Sequence, residues 1–329
     1  MVWLYLIAGF ILLLIGGEVL VKGAVAVAGK FKVPPLIIGI VLVGFGTSVP
    51  ELVTCVKAAL DGAPDIAVGN VVGSNIANIL LVAGTGALLI PVATPLAEFK
   101  RDGGAVAIAT IAFVAVCLML GEAGRFVGGV FLVMLMGYLY YAYASARKET
   151  AGGAPEDMIE ELEELETFMG RPITTSKGLI LTFGGIALTV FGAKYLVDGA
   201  IIIAENFGVS ETVIGLTIVA LGTSLPELAT AVIAGVRGHS DVSLGNILGS
   251  NIYNILAIMG TTAIVQPLRI PPEIIQFDLW VMVGATVLLI VVAVNGMKIA
   301  RWEGGVLLAG YIAYMYSLYL KVQAVPVPV

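Results

Sequence analysis

Apolar residues run along this chain in ten long blocks, separated by short stretches of charged and turn-forming positions. The blocks lie near residues 2–28, 35–60, 66–90, 103–120, 126–145, 176–204, 212–236, 242–265, 274–294 and 302–322. A helix needs roughly 20 apolar residues to cross hydrocarbon, so the pattern predicts ten transmembrane helices. The polar positions inside the blocks are few and they recur. "GTSVPELVT" occupies 46–54 and "GTSLPELAT" occupies 222–230, each placing a glutamate directly after a proline in mid-block.

Composition agrees with the pattern. Of 329 residues, 59% are apolar and 12% charged, against roughly 25% charged in soluble proteins, and the mean hydropathy is +1.04. An all-α polytopic membrane protein follows. The first block is not expected to be a cleaved signal peptide, because no Lys or Arg precedes it and the apolar run is too long. Cys55 and Cys117 both fall inside blocks and are expected to pack as small apolar residues.

Shifting the chain by 176 residues aligns its halves without a gap. Between 41–80 and 217–256, 21 of 40 positions are identical, including Thr47, Ser48, Pro50, Glu51, Asn70, Ser74 and Asn78 with their partners. Each half carries five blocks, an odd number, so the second copy must enter the membrane inverted. The predicted organisation is a first five-helix repeat over 1–145, an acidic cytoplasmic linker over 146–175 and an inverted five-helix repeat over 176–329. Placing both termini outside puts eleven loop Lys and Arg in the cytoplasm against four outside, as the positive-inside rule requires. The expected location is the plasma (cell inner) membrane. Within the linker, Met158, Leu162, Leu165 and Met169 share one face of a predicted amphipathic helix. It lacks EF-hand spacing and is read as a solvated acidic helix.

Proline has no N–H, and its ring displaces the carbonyl four residues back. At Pro50 and Pro226 the helices are therefore expected to open, freeing carbonyls that hydrocarbon tolerates only in a wet or internally satisfied cavity. Glu51 and Glu227 stand beside these openings. Carboxylates at that depth are costly and by default functional. Together with the Thr47 and Thr223 carbonyls they offer the six hard oxygens at which Ca²⁺ coordination begins, and no His or Cys joins them to suit zinc or copper. On the next span of each half, Asn70, Ser74 and Asn78, then Asn246, Ser250 and Asn254, form a polar stripe at i, i+4, i+8. The Ser48 and Ser224 hydroxyls add neutral oxygens that suit Na⁺ as well. A site of charge near −2 can be neutralised by one Ca²⁺, two Na⁺ or two protons.

Other chemistries find no support. The stretch "GAVAVAGKF" has five residues between its glycines and Phe31 after its lysine, so it is not a P-loop. No nucleotide or nucleic-acid motif is present, and no cofactor or obligate protein partner is implied. The single histidine, His239, lies in a loop, and Asp198 is the one aspartate well inside a block, which argues against an intramembrane protease. The Gly69–Gly73 and Gly245–Gly249 pairs are read as packing contacts. Glu18 with Lys22, and Lys194 with Asp198, are expected to pair within their helices.

The paired stretches resemble the alpha repeats of sodium/calcium exchangers, within the cation/calcium exchanger superfamily. The resemblance implies an antiporter, not an enzyme, moving three Na⁺ against one Ca²⁺ by alternating access. It implies that Glu51 and Glu227, with the Thr47 and Thr223 carbonyls, bind Ca²⁺. It also implies that Ser48, Ser74, Ser224 and Ser250, with the Gly44 and Ala220 carbonyls, help to hold Na⁺, and that Asn78 and Asn254 sit at the site centre. The potassium-dependent branch has aspartate where Asn254 stands, so K⁺ coupling is not expected. The Ca²⁺/H⁺ antiporters of the superfamily are the alternative, but their signature places Gly-Asn-x-x-Glu where this chain has Gly-Thr-Ser-x-Pro-Glu.

Deleting 151–167 and bridging the gap with a Gly/Ser linker is predicted to leave transport intact, because the segment lies outside both repeats and loop closure is cheap. Loss of Ca²⁺ activation in a normally assembled deletion variant would contradict the reading of the linker as passive.

Overall fold

The computed structural model describes residues 2–31, 35–151, 174–206 and 220–324. The principal helices are α1 (Val2–Phe31), α2 (Gly39–Thr47), α3 (Val49–Leu60), α4 (Pro64–Leu89), α5 (Phe99–Leu120) and α6 (Arg125–Ala151). They continue as α7 (Thr175–Asn206), α8 (Leu225–Val236), α9 (Ser240–Val265), α10 (Ile274–Val294) and α11 (Arg301–Ala324). Among the described residues seven helices are long and apolar enough to cross a membrane, and α2–α3, bent by 47°, makes an eighth. The count of ten is not reached in this way. The seventh block runs through 207–219, outside the described residues, leaving the turn Ala220–Thr223 and the 12-residue α8. The predicted linker helix also lies outside them.

Large apolar side chains cover the outer faces, among them Trp3, Ile7 and Phe10 of α1 and Phe126, Val133 and Met136 of α6. In water such a surface would aggregate; in lipid it is the favourable one. The helices α4 and α9, which carry the polar stripes, are by contrast the most deeply buried.

Two short strand pairs clamp loops together. β1 (Val92–Ala93) pairs antiparallel with β4 (Lys298–Ile299), and β2 (Glu122–Ala123) with β3 (Leu268–Arg269). The 176-residue offset carries Val92 onto Leu268 and Glu122 onto Lys298, so it exchanges one clamp for the other. It also relates two hydrogen bonds, the buried one from Tyr138 Oη to Asp102 at 3.0 Å and the half-buried one from Tyr314 Oη to Asp278 at 2.9 Å. Each aspartate begins a span and is satisfied by the helix that follows. Arg101 forks onto Asp102 at 2.7 and 2.8 Å. Phe277 stands at the corresponding place, with the Lys321 ammonium 3.4 Å from its ring centre.

The most intimate contact joins α1 to α7. Gly9, Gly16 and Gly23 recur every seven residues on α1, as do Gly178, Gly185, Gly192 and Gly199 on α7. The two rows meet antiparallel. A Cβ added at Gly9 would come within 2.8 Å of the Gly192 carbonyl, and one at Gly192 within 2.7 Å of the Leu13 nitrogen. Only glycine lets the backbones approach so closely. The Gly245–Gly249 pair packs as the sequence suggested, since a Cβ on Gly39 would lie 3.2 Å from Gly245 Cα and one on Gly249 2.9 Å from Ile40 Cα. For Gly69 and Gly73 nothing among the described residues lies within 4 Å of such a Cβ, and the counterparts of Gly39 and Ile40 lie outside the described residues.

Gly192→Leu is expected to destabilise the fold by about 1–3 kcal/mol through overpacking, seen as a lower midpoint of thermal unfolding in detergent. Gly184→Ala, where a Cβ meets nothing within 4 Å among the described residues, should not lower it. Equal midpoints for the two variants would refute the α1–α7 seam.

Candidate ion-binding site

Both Pro-Glu stretches break their helices where proline chemistry requires. α2 ends at Thr47 and α3 begins at Val49, with Ser48 between them at φ −86°, ψ 3°. In the second copy Ser224 occupies the same position at φ −87°, ψ 2°, between the turn Ala220–Thr223 and α8. Pro50 and Pro226 fall in the first turn of the following helices, where a missing N–H costs nothing. Glu51 and Glu227 then sit in those first turns, where the helix dipole favours an anion.

Ser-x-Pro-Glu has the spacing of a capping box, yet neither Ser48 nor Ser224 caps its own helix. Ser48 turns across the molecule, its hydroxyl 3.4 Å from Glu227 Oε1. The Thr47 hydroxyl likewise reaches Asn246 Oδ1 at 3.3 Å, with the Val43 carbonyl as its closer local acceptor at 3.1 Å. Asn246 in turn donates its amide to the Glu227 backbone carbonyl at 3.1 Å. One asparagine thus ties the break of the first copy to that of the second. It belongs to the polar stripe of the sequence, but its bridging role was not among the sequence assignments. Position in the stripe, one turn before Ser250, was the available signal.

The remaining assigned residues converge on the same interior. Thr47, Ser48, Glu51, Ser74, Asn78, Ser224, Glu227, Ser250 and Asn254 are all buried, and Glu51 lies within Coulombic reach of Glu227. Thr223 is partly buried. Gly44 is held against α9, where a Cβ would lie 3.2 Å from the Ser250 nitrogen, and its carbonyl accepts the Ser48 N–H at 3.2 Å. Ala220 opens the turn that precedes Ser224. Asn78 begins one π-helical segment, Asn78–Ala83, and Asn254 lies within another, Tyr253–Met259. Such widened turns recur at functional sites, and neither was legible in the sequence.

Several of these polar atoms have no hydrogen-bond partner among the described residues: Glu51 Oε2, Glu227 Oε2, Asn78 Oδ1, both side-chain polar atoms of Asn254, and the Ser224 and Ser250 hydroxyls. A buried polar group left so costs about 1–3 kcal/mol, so a cluster of them calls for a ligand. The donor set is almost entirely oxygen, with two carboxylates and several neutral groups, which fits hard cations. Among the described residues no three His, Cys, Asp or Glu gather at one place; beside the two carboxylates the oxygens gathered here are neutral. Beside it opens a cavity of about 860 Å³ between α2–α3 and α7, reaching Pro50, Thr223 and Pro226 and walled by apolar side chains such as Phe45, Val53 and Ile186.

Comparison with known proteins gives the relatives of the whole chain. The family described as sodium/calcium exchanger protein matches residues 1–144 and 177–320. The sodium/calcium exchanger MaX1 of Methanosarcina acetivorans is 33% identical over 96% of this chain and 98% of its own. The inner membrane protein YrbG of Escherichia coli is 35% identical over 95% of each chain. A solved structure of the sodium-calcium exchanger NCX_Mj superposes with a TM-score of 0.80 at 31% identity, over 97% of this chain and 100% of that one.

Asn246→Ala removes the bridge between the two breaks without replacing an assigned cation ligand. Its expected effect is a loss of about 10–100-fold in Ca²⁺ affinity, the usual scale for a residue that orients ligands, read by calorimetric titration in detergent. Asn70→Ala at the half-buried equivalent position should cost less. An unchanged affinity for Asn246→Ala would remove the positioning role.

Proposed function

The chain belongs to the sodium/calcium exchanger family, and from that premise we propose that it moves Ca²⁺ against Na⁺ by alternating access at the site shared by its two Pro-Glu breaks. It is a membrane protein of a transporter family. The observation that carries the finer reading is the set of unpartnered oxygens on Glu51, Glu227, Asn78, Ser224, Ser250 and Asn254, buried around two carboxylates.

The charge of the site dictates the exchange. Two carboxylates in a low-dielectric interior require about two compensating positive charges. Ca²⁺ brings both at once and takes the Glu51 and Glu227 oxygens with the Thr47 and Thr223 carbonyls. Na⁺ brings them singly, spread over Ser48, Ser74, Ser224, Ser250 and the Gly44 and Ala220 carbonyls, with Asn78 and Asn254 between. Either load makes the site neutral enough to cross the barrier, and neither can leave without the other taking its place. Three Na⁺ for one Ca²⁺ would carry one net charge per cycle, coupling transport to the membrane potential at about 2.3 kcal/mol per 100 mV. We assign the chain ten spans in two inverted five-helix repeats, 1–145 and 176–329. Both termini lie outside the plasma membrane, with the acidic linker 146–175 in the cytoplasm.

Asn254 sets the ion selectivity in this scheme. Being neutral, it adds no third negative charge, so a K⁺ bound beside Ca²⁺ would be uncompensated.

The test is ⁴⁵Ca²⁺ uptake into proteoliposomes with Na⁺ and pH gradients imposed separately. Uptake is expected to follow the Na⁺ gradient, to persist when choline replaces K⁺, and to vanish in Glu51→Gln and Glu227→Gln while both variants remain folded. Uptake driven by the pH gradient alone would make the protein a Ca²⁺/H⁺ antiporter instead. Normal uptake by either glutamine variant would remove the site assignment altogether.

A further inference from the structure

The 176-residue offset has a second consequence, among charges that lie away from the ion site. It carries Glu18 of α1 onto Lys194 of α7, Lys22 onto Asp198, and Asp61 after α3 onto Arg237 after α8. All three positions exchange sign. Arg237 and Asp61 close their helices at equivalent C-caps, so the geometry repeats while the polarity is reversed.

In the structure the equivalent groups are paired differently. Glu18 is shared between Lys22 at 2.8 Å and Arg237 at 2.7 Å, which ties α1 to the end of α8. Lys194 turns inward to Asp198 at 2.6 Å, and Asp61 to Lys57 at 2.8 Å, each within its own chain segment. Packing follows the same asymmetry. α1 lies along α8, whereas α7 and α3 meet at most at isolated points. The 860 Å³ cavity occupies the space between them, with Val53 and Thr54 on one wall and Val190 and Lys194 on the other. One mouth of the molecule is closed and the equivalent mouth is open.

We propose that Glu18–Arg237 and Lys194–Asp61 are reciprocal ionic latches on the two mouths, of opposite polarity, and that only one closes at a time. The glycine seam leaves no slack between α1 and α7, so the two helices shift together. Bringing α7 onto α3 draws α1 away from α8. Lys194 then takes Asp61 in addition to Asp198, as Glu18 is now shared between Lys22 and Arg237, and Glu18 keeps only Lys22. The i, i+4 pairs Glu18–Lys22 and Lys194–Asp198 hold in both states, a released Asp61 keeps Lys57, and a released Arg237 has Asp241 four residues on, so neither state is trapped. Reversed polarity keeps each latch attractive while making the two latches chemically distinct: Lys194 and Arg237 repel, as do Glu18 and Asp61, so a latch residue cannot join the wrong mouth. The proposal rests on alternating access but not on which ions are carried.

The latches are partly exposed, so each should bias the two states only about two- to five-fold. Two measurements test this, neither of which requires transport. In the first, Thr54→Cys reports the α3 mouth through its rate of labelling by a membrane-impermeant maleimide. Adding Arg237→Gln should slow that labelling by about two- to five-fold, by releasing the α8 mouth, and adding Asp61→Asn should not slow it. In the second, a flexible bifunctional thiol reagent is applied to Asp61→Cys with Lys194→Cys, and to Glu18→Cys with Arg237→Cys. Each pair should cross-link, and with all four cysteines present each molecule should carry one bridge or the other. Bridging of both pairs in single molecules would overturn the proposal, as would a failure of Asp61→Cys and Lys194→Cys to cross-link in folded protein. Equal labelling rates in the Arg237→Gln and Asp61→Asn backgrounds would also overturn it.

Discussion

Two carboxylates buried within Coulombic reach of each other set the terms for everything around them. Such a pair is unfavourable unless cations compensate it, and the fold is arranged so that compensation comes from outside the chain. Among the described residues no Lys or Arg is paired with Glu51 or Glu227; the Ser48 hydroxyl lies against the Glu227 carboxylate. A permanent ion pair would have stabilised the site and closed it. On the proposed function, leaving the oxygens unpartnered would make the binding of ions part of folding energetics at that point, and would make exchange, not simple release, the low-barrier route.

The breaks in the helices serve the same end. A continuous α-helix offers a cation no backbone oxygen, because each carbonyl is already bonded four residues on. Proline in the first turn of α3 and of α8 interrupts that ladder without leaving an unsatisfied N–H, and Ser48 and Ser224 become hinges between two helix ends. The tight backbone contacts of α2 with α9, at Gly39, Gly44 and Gly249, then bring the Ser250 stripe against the first break. Packing small residues is what lets polar groups from separate helices meet in so little space.

Much of this was legible in the sequence because it depends on residue identity. Proline, glutamate and the Ser/Asn stripe carry their chemistry wherever they sit, and their recurrence at a fixed offset ruled out coincidence. What escaped was relational. The diversion of Ser48 from its own helix to Glu227, and the bridge made by Asn246, depend on which helices are neighbours. The π-helical segments at Asn78 and Tyr253 leave no mark in composition. The Arg237–Glu18 pair joins residues more than two hundred positions apart, and only the i, i+4 partner of Glu18 was foreseeable from spacing. The seven-residue glycine rows were present in the sequence, but a row of small residues declares its meaning only when a second row faces it.

Because Ser48 and Asn246 reach across to groups of the opposite half, neither half holds a complete set of contacts by itself. During synthesis the first five helices emerge well before Asn246 or Glu227 exist. Throughout that interval Glu51, Ser74 and Asn78 must be kept wet or temporarily paired, since lipid alone would offer them nothing. The strand clamps at Val92 and Ala123 are open for the same period, because their partners lie beyond residue 267. Insertion of this chain is therefore a two-act process with a vulnerable pause between the acts. A cell making it has reason either to shield the first half or to hurry the second.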